Sequence, residues 1–572
     1  MTTDVVTSTA TATDRARRAL SRIEEVDRPE VWITLRDATD ILADAAAVDA
    51  RVAAGETLPL AGFVVAVKDN VDVAGLPTTA GCPEFAYTPQ TTASGVSRLI
   101  DAGAVVLGKT NLDQFATGLV GTRSPYGAVR CAWDPERISG GSSSGSAAAV
   151  GLGIADIGIG TDTAGSGRVP AALHGIVGIK ATLGVIPTHG VVPACVDYDC
   201  LTVLAESLDL ATKAAAVMAA PDERDPRSRT WPTDVRLAAP AQIRLAVPRP
   251  EDLTALCAEY RDAFDATVAE ARRSGIGITE VDISPLLDAA TLLYDGALVA
   301  ERYAAVGTFL DTERAGADPT VAAIVASAQK PAAHELVTDL DSLVHTRAYA
   351  RAVLEGFDGL LLPTTTEHPT IAAVQADPVE INRRMGTYTN FCNLLDMAAV
   401  AVPGVPTPEG HPFGVMAVVP AFDDQVAVDI AARLTGVEAP RFVDSGVELA
   451  VFGAHLLGQP LHFQLEDLGA RFSEQVYTSD AYRLMALNTT PPKPGLVRHR
   501  PGEGASIVGE LFRVSEAGLG RFLAALPAPM TLTSVELADG RWVVGFGCTQ
   551  DASADGADIT EFGGWVEYLR MA

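Results

Sequence analysis

The chain has 572 residues, 48% apolar and only 20% charged, enough to bury a large core and to form two domains or more. A net charge of −29 excludes a cationic face for nucleic-acid backbones or anionic membranes, and no apolar run reaches bilayer-spanning length. Seven scattered cysteines, with no CxxC pair and no metal-ligand spacing, fit a reducing compartment, so a cytoplasmic protein is expected.

Residues 1–13 are Thr-rich, lack the apolar stretch of an export signal and are expected to be mobile. Segments 15–26 and 36–54 carry apolar residues at helical spacing. Residues 58–67 (LPLAGFVVAV) read as a buried strand that ends at Lys68, and 94–102 and 104–107 read as helix and strand. An Ala-rich helix over 147–150 and a strand over 154–159 follow, so strand and helix alternate. That pattern predicts an α/β fold with a mixed sheet core flanked by helices. Further on, 251–274 reads as one long amphipathic helix, 276–283 as a strand before a helix, and 360–363 as a buried strand. The first domain is placed at 1–440 and a linker at 441–449. Strand-like runs at 482–487, 507–514, 531–537 and 542–546 predict a small β-rich α+β domain over 450–572.

The chemistry concentrates between Ile138 and Pro170, where GGSSSGSAAAV and GTDTAGSGRVP bracket the helix and strand. A flexible linker would not carry that apolar spacer, so the segment reads as a built site. The run GSSSG matches a nucleophile elbow, but WDPERISG before it reads as a turn, not as the strand that an α/β-hydrolase places there. The GK[ST] ending of a P-loop and the third Gly of a dinucleotide fingerprint are both missing. Serine needs a base to act as a nucleophile, and neither His174 nor His189 has an orienting carboxylate nearby in the sequence. A lysine serves if apolar burial lowers its pKa, and Lys68 at the end of FVVAV is placed for that. Taken alone, Lys68 reads first as a lysine snorkelling out of a strand end.

These motifs resemble the amidase signature family. Twenty-four residues separate Ser142 from Ser166 and 74 separate Lys68 from Ser142, in keeping with that family's pattern. The resemblance implies that Ser166 is the acylated nucleophile, Ser142 a bridging serine that follows a cis peptide, and Lys68 the general base. It also implies an oxyanion hole from the backbone N–H groups of Thr163, Ala164, Gly165 and Ser166, with Arg168 bracing the loop. Within the family, VVPACVDYDC and LYDGALVAERYAAV are similar to allophanate hydrolases, as is PPKPGLVR in the second domain. That likeness implies Tyr294 and Arg302 as carboxylate-binding residues, eight apart and placed on one face of one helix. Ala297-Leu298 stands where those enzymes tend to have Pro-Trp, which bears on pocket shape. Tyr388 and Asn390 read as core packing beside the site. The second domain resembles γ-glutamylcyclotransferases in fold and is linked in the family to decarboxylation of the amidase product, with His455 as a possible second site.

The resemblance implies hydrolysis of allophanate, a small-molecule substrate, to ammonium and carbon dioxide. No metal or organic cofactor is expected, and a homodimer is expected from the family alone. Two other readings stay open: an amidase for another small amide or an amidotransferase A-type subunit, and a non-enzymatic assembly protein with a silent site.

Overall fold

The computed structural model describes residues 10–313 and 315–571. Two compact units form, one from the chain up to Thr230 with Gln242–Phe442, the other from Trp231–Ala241 with the chain from Val443 onward.

The first unit is α/β. Its strands are β1 (Trp32–Leu35), β2 (Val64–Lys68), β3 (Val105–Thr110), β4 (Ile157–Asp162), β5 (Val177–Lys180), β6 (Cys200–Ala205), β7 (Arg244–Pro248), β8 (Gly277–Val281), β9 (Gly359–Pro363), β10 (Met397–Pro403) and β11 (Gly414–Pro420). They form one mixed sheet in the order β1-β3-β2-β4-β6-β5-β10-β11-β9-β7-β8. Parallel pairing joins β2 to both β3 and β4, and β7 to β8 and β9, while β4, β5, β6, β10 and β11 follow one another antiparallel. β2, β3 and β4 are buried at every position, as expected of apolar, β-branched runs covered on both faces.

Helix Ser144–Gly151 lies against this centre, and its small residues are required by how close it comes. A methyl on Gly145 would run into the carbonyl of Val31, one on Gly160 into the Ser143 hydroxyl, and one on Gly158 would stand 2.7 Å from the Ser146 carbonyl oxygen. Gly- and Ser-rich composition therefore encodes tight helix-on-sheet packing here, not a flexible loop.

Several expected elements shift. β2 starts at Val64 because 58–62 turn back, with Gly62 at φ +75. The long helix over 251–274 is a 3₁₀ turn at Pro250–Leu253 followed by a helix at Ala258–Arg273; extended backbone at Cys257, whose N–H donates to Thr366 O (3.0 Å), divides them. Of the segment expected to be mobile, residues 1–9 lie outside the described residues. Ala12 and Thr13 are helical, in a helix (Ala12–Val26) that opens with a Thr11/Asp14 capping box and buries Ala12, Ala16 and Ala19.

The second unit is β-rich α+β. A five-stranded sheet runs in the order Arg471–Tyr477, Val508–Val514, Val447–Val451, Trp542–Cys548, Met530–Glu536, and a three-stranded one in the order Lys493–Arg498, Tyr482–Leu487, Ala557–Asp558. Leu449, Val451, Phe452, Leu484, Leu511, Phe512 and Trp565 lie in its core. Trp231–Ala241 joins it through Leu237 N–H to Gly469 O (2.9 Å) and through Val235 and Leu237 packed with Val443. No helix among the described residues is long and apolar enough to cross a membrane.

Candidate active site

β2 and β4 are parallel neighbours, so their carboxyl ends deliver Lys68 and the loop after Asp162 to the same edge of the sheet. Lys68 is fully buried, with Nζ 2.8 Å from Ser142 Oγ and 2.7 Å from Thr161 Oγ1. Burial is the largest influence on this amine; although the charges of Asp113, Asp199 and Asp162 oppose it, the pKa is pushed down to about 7. An amine so placed is neutral in a large fraction of molecules at neutral pH. It can then take a proton from the hydroxyl it touches. Ser142 follows a cis Gly141–Ser142 peptide.

Ser166 sits two residues before helix Arg168–His174, next to its N-cap Gly167. Its carbonyl accepts from Ser143 N–H (3.1 Å), and its hydroxyl donates to Gly118 O at 3.4 Å. Among the described residues no hydrogen bond joins Ser142 to Ser166, so the contact from Lys68 runs as far as Ser142.

Asp162 organises the loop around Ser166. Its carboxylate accepts from Gly165 N–H (2.8 Å), Gly167 N–H (3.1 Å) and the Arg168 guanidinium (2.9 Å from both Nε and Nη2). Burial works against ionisation, but the Arg168 charge and hydrogen bonds outweigh it and hold Asp162 at about 2. Arg168 is fully buried and also donates to Thr389 O (3.2 Å) and Asn393 Oδ1 (3.1 Å). Gly165 N–H, expected among the oxyanion donors, is thus already engaged by Asp162. Thr163 is held in turn by its hydroxyl, which donates to Asp199, a carboxylate that also accepts Ala194 N–H at 2.8 Å.

Gly165 is required to be glycine, because its φ is +119 and a methyl would run into the Thr389 hydroxyl that donates to Ala164 O. Gly165→Ala is expected to lower kcat at least tenfold and to destabilise the fold by about 1–3 kcal/mol. Steady-state kinetics beside urea unfolding checks both.

Tyr294 and Arg302 are not on one helix. Ser284–Asp295 ends at Gly296, a 3₁₀ turn spans Ala297–Val299, and a new helix runs from Ala300 to Thr312. The break is fixed by Asp339, which accepts Ala297 N–H (2.6 Å), while the extended backbone of Gly296 ends the helix before it. The two residues still meet, with the guanidinium 4.7 Å from the Tyr294 ring centroid. Arg302 is 1% exposed, yet its side chain has one hydrogen bond, from Nη1 to Thr117 Oγ1 (2.9 Å); Nε and Nη2 have no partner among the described residues. Tyr388 and Asn390 are buried, and Tyr388 donates to Asp252 O (3.1 Å).

The amidase family model matches residues 14–428. The chain belongs to the amidase family. In this amidase a second model, the allophanate hydrolase C-terminal domain, matches residues 447–570. The urea amidolyase of Saccharomyces cerevisiae is 41% identical over 90% of the chain, which spans only 30% of that relative's length. The A-type subunit of the glutamyl-tRNA(Gln) amidotransferase from Deinococcus deserti is 31% identical over 74% of this chain and 92% of its own. Among solved structures, the selenomethionine-substituted allophanate hydrolase of Kluyveromyces lactis superposes with a TM-score of 0.88 at 39% identity, covering 98% of this amidase and 97% of that chain.

In the second unit, His455 is buried, stacks on Phe546 (centroids 4.9 Å apart) and has Nε2 2.9 Å from Gln464 Oε1. It lines a small cavity with Phe452, Lys493, Pro494, Met530 and Phe546. Burial lowers its pKa, which favours the neutral ring.

Sequence reading missed Asp162, Asp199, Asn393 and Thr117. Asp162 stood inside the motif GTDTAGSG, where a buried acid beside Arg168 was the available signal. Thr117 carries none, because its partner lies 185 residues away.

Proposed function

We propose that this amidase hydrolyses allophanate, H₂N–CO–NH–COO⁻, at its terminal amide. The observation that carries this reading is the buried Arg302 guanidinium with two unpaired nitrogens. A buried cation with unused donors calls for an anion, and a guanidinium edge matches a carboxylate in bidentate fashion. The likeness to Kluyveromyces lactis allophanate hydrolase over nearly all of both chains supports it.

In the proposed reaction, Ser166 attacks the amide carbonyl while Ser142 takes its proton and passes its own to Lys68. The N–H groups of Thr163, Ala164 and Ser166 stabilise the oxyanion. Lys68, through Ser142, then protonates the departing ammonia. Water clears the acyl-enzyme and leaves an N-carboxycarbamate. The second unit, with His455 as its acid or base, decarboxylates that product to carbamate, which breaks down in water to ammonia and a second carbon dioxide, giving two ammonium and two carbon dioxide per allophanate overall. The urea amidolyase relatives point to urea breakdown as the setting. Free cysteines at all seven positions accord with a cytoplasmic location, and a homodimer is the assembly that sedimentation should find.

Ammonia release from allophanate and from propionamide tests the assignment. Activity on allophanate should vanish in Ser166→Ala and drop at least 100-fold in Arg302→Ala. Turnover of propionamide alone would keep the serine chemistry and remove the substrate assignment, while silence on both would favour a non-enzymatic or partner-dependent role.

A further inference from the structure

We infer that Thr117 is the positioning residue that sets the Arg302 guanidinium against the substrate's carboxylate, in register with the nucleophile. This inference rests on the proposed role of Arg302.

Thr117 is buried, and its hydroxyl accepts from Arg302 Nη1 at 2.9 Å and donates to Phe115 O at 3.2 Å. Since that is the only hydrogen bond the Arg302 side chain makes to the protein among the described residues, Thr117 fixes the direction in which the unpaired Nε and Nη2 face. Tyr294 lies with its ring centroid 4.7 Å from the guanidinium carbon but offers it no hydrogen bond to set its direction.

The next residue faces the reacting centre, because Gly118 O accepts from the Ser166 hydroxyl (3.4 Å). Two consecutive residues thus touch the anion-facing group and the nucleophile. Around them the backbone is held from several directions. Arg123 Nη1 donates to Thr117 O (3.0 Å), Asp113 N–H donates to Ser142 O (3.2 Å), and Asp113 accepts from Gly121 and Arg123 N–H at 2.9 and 3.0 Å. Phe115 and Ala116 both adopt left-handed backbone, at φ +51 and +52, a conformation that non-glycine residues keep only where their surroundings impose it. Phe115 is further pinned edge-on by Phe85 and Phe309, the latter on the helix that carries Arg302. The segment from Asp113 to Gly121 is therefore a rigid spacer between the carboxylate anchor and the serine.

Thr117→Val keeps the shape and removes the acceptor. The expected result is a KM for allophanate raised about tenfold or more, from the loss of a hydrogen bond to a charged group, with kcat changed less than about threefold. KM for propionamide should move far less, because that amide has no carboxylate to register. Thr117→Ser, which restores the hydroxyl, should recover most of the loss. Equal losses on both substrates, or no rescue by serine, would mean that Thr117 only supports the fold and would overturn the inference. Arg302→Ala run alongside separates the two claims. If it fails to discriminate allophanate from propionamide, the role of Arg302 falls; if it discriminates and Thr117→Val does not, only the role of Thr117 falls.

Discussion

Lys68→Met is expected to reduce amide hydrolysis on the order of 1,000-fold or more and, at neutral pH, to leave a more stable protein. The loss follows from removing the group placed to act as base on Ser142, since a positioned proton acceptor accelerates such steps by about 10²–10⁴ and no other amine or imidazole among the described residues touches that serine. The stability gain follows from burial. A lysine whose pKa falls from 10.5 in the unfolded chain to about 7 in the fold opposes folding by about 5 kcal/mol wherever both states would be protonated. That penalty is full below about pH 7. As pH rises from about 7 to 10.5 the unfolded chain still binds the proton and the folded chain does not, so wild-type stability climbs and the penalty disappears. Methionine carries no such penalty, although Ser142 and Thr161 lose a hydrogen-bond partner. The advantage of Lys68→Met in urea unfolding should thus be largest at or below pH 7 and shrink towards pH 10. Wild-type kcat/KM should rise through about pH 7 as Lys68 deprotonates. A pH-independent difference in stability, or a variant active within tenfold of wild type, would contradict the assignment of Lys68.

How much of this was legible in the sequence depends on the range over which each feature is encoded. β2, β3, β4 and β9 are written locally, as apolar runs that only a two-sided sheet can bury. The small residues of Ser144–Gly151 are also a local signal, since each marks a close approach. The break at Gly296 was not legible, because the side chain that fixes it, Asp339, comes from a helix 42 residues further on. The same holds for Gly165 N–H. The family resemblance implies an oxyanion donor there, but the carboxylate that takes it becomes visible only when Asp162, three residues earlier, turns back on the loop. Spacing indicates which residues can meet, while the direction of each donor is decided by contacts that spacing does not contain.

Arg168→Met is expected to destabilise the first unit by about 3–5 kcal/mol at neutral pH, because it strands a buried carboxylate whose ionisation the guanidinium supports. In the wild type, Asp162 titrates at about 2, below its unfolded value of 3.8, so its contribution is present above pH 3.8 and is lost as pH falls through about 2. Without Arg168 the desolvation is offset only by the Lys180 charge and the backbone N–H groups, so the carboxyl titrates higher than in the wild type. The variant's deficit should then be greatest near pH 7.5 and narrow on acidification towards pH 5, as Asp162 becomes neutral. Pairing it with Asp162→Asn should recover part of the stability, since a neutral amide carries no unpaired charge, although it cannot accept both Gly165 and Gly167 N–H as the carboxylate does. Activity separates bracing from substrate recognition. If Arg168 acts only through the loop, its loss lowers kcat for allophanate and propionamide alike, whereas loss of Arg302 falls on the substrate that carries a carboxylate. A preferential effect of Arg168→Met on allophanate would move this arginine from the loop into the binding pocket.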